Sequence, residues 1–148
     1  MKAKIPKKSK LQKRIEDVSS TYWLVRADDA WSDLIHTVYP YCAVNKDCSG
    51  PLEAHHLINR KHYATRHNPW VGILLCSLHH QWSIYLSAHI ASLAFAEWLQ
   101  INEPKKWEWA CKHKDDPNPD KPDYKAAMEH LIELKNNYLK RRKEALKT

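Results

Sequence analysis

Glycine is scarce in this chain, with two in 148 residues, while hydrophobic residues make up 43% and charged residues 28%. That balance excludes a collagen-like repeat and a wholly disordered polymer, and it predicts a soluble globular protein about one domain long. Long apolar runs are missing as well. None approaches the roughly 18 consecutive residues that a bilayer-spanning helix needs, so no membrane association is expected. The early lysines lead into "RIEDVSST" and not into an apolar core, so no secretory signal is expected and the compartment reads as cytoplasmic. In a reducing compartment the four cysteines are read first as metal ligands and not as disulfides. No internal repeat is present.

What is abundant is positive charge. The net charge is +7 with a pI near 9.2, and the excess lies in "MKAKIPKKSKLQKR" at the start and "KRRKEALK" at the finish. Polyanions are the natural partners. Residues 1–20 read as a flexible basic arm, in which Lys7, Lys8 and Lys10 are candidate DNA contacts.

Between these ends the pattern predicts an α+β protein, mainly helical. "DDAWSDLIHTVY" sets Ala30, Trp31, Leu34, Ile35 and Val38 on one helical face from Asp28 onward, and Pro40 ends it. "YCAVNKDCSGPLEAHHLI" reads as two short segments that pair as a hairpin. "WVGILLCSLHHQWSIYL" reads as an extended entry and then a helix starting near Cys76 or Ser77. A further helix is predicted in "SAHIASLAFAEWLQ", with Ile90, Leu93, Ala94 and Trp98 sharing a face, and Trp107, Trp109 and Cys111 read as packing residues. Three prolines make residues 114–123 a linker between a domain at 21–113 and a basic amphipathic helix at 124–148. That helix is expected to pack on the domain or on a second copy of the chain.

The chemistry concentrates in cysteine and histidine. Cys42 and Cys48 form one pair and Cys76 and His79 another, and three thiolates with an imidazole satisfy tetrahedral zinc. His80, one step beyond His79, is rotated by about 100° around a helix and points elsewhere. His55 and His56, adjacent on a strand, point to opposite faces. One histidine of each doublet is therefore free for a second centre, since clustered histidines usually bind metal.

At these residues the chain resembles a known family. "LEAHHLI", then Asn68, then "LLCSLHHQW" is similar to the motif of HNH endonucleases, and the flanking "DDAWSDLI" and "SAHIASLAFAEWL" resemble zinc-stapled HNH proteins of bacteriophages, over residues 28–100. The resemblance implies a ββα-metal (His-Me finger) core with a structural zinc, flanked by helices, in a bacterial or phage-infected cell. It implies His56 as general base, His55 and His80 as ligands of a catalytic Mg²⁺, Mn²⁺ or Ni²⁺, and Asn68 as the loop residue that orients His56. The implied reaction is DNA cleavage or nicking that leaves 5′ phosphates and 3′ hydroxyls. Arg60, Lys61 and Arg66 in the intervening loop become candidate phosphate contacts, and His89 a candidate near the metal or a phosphate. The pattern also departs from the family. In relatives whose text reads like "DNGLCLC" the asparagine lies five residues before the zinc cysteine, and that position here is Val71. The competing expectation is a non-catalytic zinc module that binds nucleic acid, or an adaptor in a phage DNA-processing complex.

Binding to duplex DNA is expected to weaken steeply with salt, because basic residues at the N-terminus displace condensed counterions. Deleting residues 1–14 should flatten the plot of log affinity against log salt; an unchanged slope would make this segment a solubility device.

Overall fold

The computed structural model describes residues 7–147. The first six residues of the expected arm and Thr148 at the end of the expected terminal helix lie outside the described residues. The architecture is α+β and mostly helical: α1 (Lys10–Glu16), α2 (Thr21–Val38), β1 (Leu52–His56), β2 (Gly72–Cys76), α3 (Ser92–Asn102), α4 (Pro104–His113) and α5 (Tyr124–Ala145). No helix among the described residues is long and apolar enough to cross a membrane.

The sheet is a single antiparallel pair in which Leu52 faces Cys76, Ala54 faces Leu74 and His56 faces Gly72. All five residues of β2 are buried, because helices cover both faces. On one face Leu74 joins Trp31, Leu34 and Ile35 of α2, Ala110 of α4 and Leu131 of α5. On the other, Ile73 and Leu75 join Phe95 and Leu99 of α3 and the two cysteines Cys42 and Cys76. Strand alternation thus sends Glu53 and His55 to the α3 side, and Ala54 and His56 to the α2 side. Gly72 has a steric task here. A Cβ at that position would come within 2.7 Å of the Trp31 ring and 2.4 Å of Ile35, so the missing side chain is what lets α2 lie against the strand end beside His56.

Several expectations are corrected. The basic arm contains α1, whose start is closed by reciprocal bonds between Ser9 and Gln12, and Trp23 Nε1 donates to the Ile15 carbonyl to fix it on α2. Helix α2 begins at Thr21 and not at Asp28: the Ser20 carbonyl accepts the Trp23 and Leu24 N–H groups, and Ala27 extends the buried face of Trp31 and Leu34 backward. No hairpin forms within residues 41–58. Asn45 and Asp47 both have φ near 50° and curl that segment into a loop, and β1 finds its partner only at Gly72–Cys76. The helix expected after Cys76 is one wide turn, Leu78–Trp82, closed by the Ser83 N–H donating to the Leu78 carbonyl at 2.8 Å. Helix α3 starts at Ser92 and buries Phe95 and Leu99, whereas Ile90 and Leu93 of the expected stripe are exposed. The Ser87 hydroxyl accepts from the Ile90 and Ala91 N–H groups and holds that stretch in a turn.

The proline-rich segment is no free spacer. Asn118 receives the Ala64 N–H and donates to the Lys61 carbonyl, and Tyr124 N–H donates to the Val18 carbonyl. Helix α5, started by the Asp123 side chain on the Ala126 N–H, then runs alongside α2 with Leu131 sealed between them and Lys135 paired with Asp33.

Lys106 is 9% exposed, its ammonium donating to the Gly72 carbonyl at 2.7 Å and the Trp70 carbonyl at 3.3 Å. Burial pushes its pKa down to about 8 from 10.5. Between those values the unfolded chain binds the proton and the folded chain releases it, so stability rises with pH across that window. The stability of wild type relative to Lys106→Met is expected to climb by on the order of 2–3 kcal/mol from pH 8 to 10.5 in denaturant titrations; a flat difference would refute the assignment.

Candidate metal centres and cleft

Two groups of side chains converge as metal ligands do. The first joins Cys42 and Cys48 from the loop before β1 to Cys76 at the end of β2 and His79 in the turn after it, with their donor atoms all within 4.8 Å of one another. The Nδ1 atom of His79 lies 3.6 Å from the Cys42 sulfur, 3.9 Å from Cys48 and 3.2 Å from Cys76. A tetrahedral ion with ordinary metal–sulfur and metal–nitrogen bonds separates sulfur from nitrogen by about 3.6 Å, so the four side chains fit one. The loop of five residues between the first pair closes because Asn45 and Asp47 adopt left-handed backbone. Burial and the neighbouring Cys42 and Cys76 sulfurs push the Cys48 thiol up to about 12. Cys76 goes the other way: burial raises it, but N–H groups of His79 and Ser49 and the adjacent thiols outweigh that. A bound cation favours the thiolate throughout such a cluster.

The second group is His55, His80 and His89, whose nitrogens also lie within 4.8 Å of one another. Glu53, two residues before His55 and on the same strand face, holds its carboxylate against Nδ1 of His80. That bond draws the Glu53 carboxyl below its usual range. A carboxylate only accepts, so the His80 proton sits on Nδ1 and the lone pair on Nε2. The His80 and His89 Nε2 atoms are 3.2 Å apart. Two nitrogens on one ion are separated by about 3.0 Å in cis octahedral and about 3.4 Å in tetrahedral coordination, which brackets this spacing. A carboxylate behind a ligating histidine is the usual second layer of a metal site. Burial, and then the repulsion that protonated His80 and His89 would exert, push His55 down to about 3, leaving it neutral with a lone pair to give.

Across the strand, His56 lies flat against Trp31, ring centres 3.6 Å apart and planes at 18°. Its Nε2 is 2.9 Å from the Arg66 carbonyl oxygen. Because a carbonyl only accepts, Nε2 carries the proton and Nδ1 keeps the lone pair. Burial pushes His56 down to about 4 against the upward pull of that carbonyl. His55, His56, His80 and His89 open onto one cleft of about 560 Å³, with Asp28, Asp29 and Arg60 also on its walls.

Other predicted positions fall elsewhere. Asn68 does not enter the cleft: its side-chain oxygen accepts the Trp70 N–H at 2.9 Å and caps the turn Pro69–Val71, and its carbonyl accepts from Trp31 Nε1 at 3.1 Å. Val71 is fully buried among the apolar side chains of the α2-side core. Arg66 is committed inward, its guanidinium gripping both Asp28 oxygens at 2.8 and 2.6 Å and donating to the Arg60 carbonyl. Arg60 and Lys61 are exposed, as are Lys7, Lys8 and Lys10, with Lys8 paired to Glu16. Glu53, Trp31 and Asp28 were not predicted as part of the site. Glu53 carried a signal, the two-residue step to His55; the other two read only as helix residues. No protein-family model, curated protein or solved structure matches this chain.

Metal analysis of the purified protein is expected to return about one tightly held ion per chain, and Cys76→Ser should lose both that ion and the cooperative melt, since metal binding is folding free energy in so small a unit. An unchanged melting profile after removal of all metal would rule the four-ligand centre out.

Proposed function

We propose that this protein is a metal-dependent endonuclease or nickase of the HNH type that hydrolyses DNA phosphodiester bonds. The observation that carries the reading is His56: its Nδ1 lone pair is freed by the Arg66 carbonyl on Nε2, in the same cleft as three imidazoles that fit one ion. On this reading the two strands and the turn Leu78–Trp82 are a ββα-metal core with its helix cut to one turn, and the donor set of Cys42, Cys48, Cys76 and His79 is that of a structural zinc.

The chemistry follows from the tautomer. His56, neutral near pH 7, takes a proton at Nδ1 from a water whose oxygen attacks phosphorus; the bond to the 3′ oxygen breaks, giving a 5′ phosphate and, after protonation of the leaving oxygen, a 3′ hydroxyl. His55, His80 and His89 would hold a divalent ion, Mn²⁺ or Ni²⁺ suiting imidazole better than Mg²⁺, to supply positive charge against the phosphate and the leaving oxygen. Arg60, on the cleft wall, would be the residue to meet a phosphate. Arg66, tied to Asp28, is withdrawn from that role.

The second reading, a zinc-bearing nucleic-acid-binding module without catalysis, or an adaptor in a phage DNA-processing complex, draws on Val71 and Asn68: neither brings an amide to the cleft. Nicking of supercoiled plasmid with Mg²⁺, Mn²⁺ and Ni²⁺ separates the two. His56→Ala should lower nicking by about 10²–10⁴ with zinc content and DNA affinity unchanged. His80→Ala and His89→Ala should instead raise the metal concentration needed for half-maximal rate. Wild-type protein inactive with all three ions would leave the binding module as the better account.

A further inference from the structure

The imidazole of His56 is held by a frame that begins on α2. The Asp28 carboxylate receives Nε and Nη2 of Arg66 and sits 2.9 Å from Nε2 of His67. Arg66 Nη1 reaches back to the Arg60 carbonyl at 2.9 Å, and the Arg66 N–H donates to the His62 carbonyl, so residues 60–67 are drawn around one carboxylate. The carbonyl that fixes the His56 tautomer belongs to that same Arg66. One turn further along α2, Trp31 covers the imidazole face and anchors its own Nε1 on the next part of the loop, the Asn68 carbonyl.

We infer that Asp28 is a positioning residue: by clamping Arg66 and His67 it sets the Arg66 carbonyl against His56 Nε2 and so fixes which nitrogen of His56 carries the proton. In this chain that carboxylate does the loop-holding work for which Asn68, turned to cap Pro69–Val71, has no geometry. An aspartate is suited to it, because one rigid carboxylate accepts the planar fork of a guanidinium and an imidazole N–H together. Burial raises the Asp28 pKa, yet the Arg66 and His67 bonds more than offset that and hold it ionised below the usual carboxylate range.

This inference rests on the nuclease reading for its catalytic consequence but not for its structural one, and the experiment separates them. In full-length protein carrying its metal, ¹⁵N shifts of the histidine rings report which nitrogen of His56 is protonated. Wild type is expected to show a protonated Nε2 and a bare Nδ1 at pH 7. Asp28→Ala should move both His56 signals toward the averaged values of an exchanging ring, and Arg66→Met should do the same. Asp28→Asn, which keeps one acceptor oxygen, should fall between and serves if the alanine variant does not fold. In nicking assays kcat should fall about tenfold in Asp28→Ala with KM within twofold, as for lost orientation, and Asp28→Glu should recover part of it. A wild-type His56 tautomer in a folded Asp28→Ala or Asp28→Asn protein overturns the inference, as does a change confined to KM. Displaced His56 signals in the variants together with a wild type that never nicks DNA would uphold the positioning role and retire the nuclease reading.

Discussion

A ribbon of two five-residue strands is marginal on its own, so the geometry at the cleft depends on how the ribbon is fastened at each end. At one end Cys76 closes β2 and, with His79, meets Cys42 and Cys48. At the other, Gly72 admits Trp31 and Ile35, so that α2 packs directly on the strand bearing His56. Between these points every β2 side chain is buried, and a one-residue slip in register would send His55 to the wrong face.

That alternation gives the histidine doublet its division of labour. Consecutive residues on a strand cannot share a face, so His55 joins the α3 side with His80 and His89, while His56 joins the α2 side with Trp31. Both still open on one cleft, because His56 is the last residue of β1. The same step of two that brings Glu53 onto the His55 face carries it to the back of His80.

The features legible in the sequence were those with local periodicity or obligate ligand chemistry. The four-ligand cluster could be read because three thiols and an imidazole at those spacings match the donor set of a tetrahedral metal site. The opposite facing of His55 and His56 followed from strand geometry alone. What stayed illegible was non-local. The pairing of β1 with Gly72–Cys76 across residues 57–71 leaves no periodic trace, and left-handed backbone at Asn45 and Asp47 defeated the nearer hairpin. Arg66 looked like a loop charge open to phosphate, since its partner Asp28 lies 38 positions earlier. The helix after Cys76 was overestimated because Leu78–Trp82 has helical composition but closes a single turn.

The packing of α5 on α2 also orders events in time. Lys135 meets Asp33 across 102 positions of sequence, and Leu131 is buried only when that contact forms. During synthesis at about 5–20 residues per second, α2 leaves the ribosome several seconds before the helix that covers it. Throughout that interval β1 and β2 can already cover Trp31 and Ile35, but the part of α2 that meets Leu131 and Lys135 stands open to solvent. Completion of the α2-side core is therefore a late, long-range closure that waits for α5.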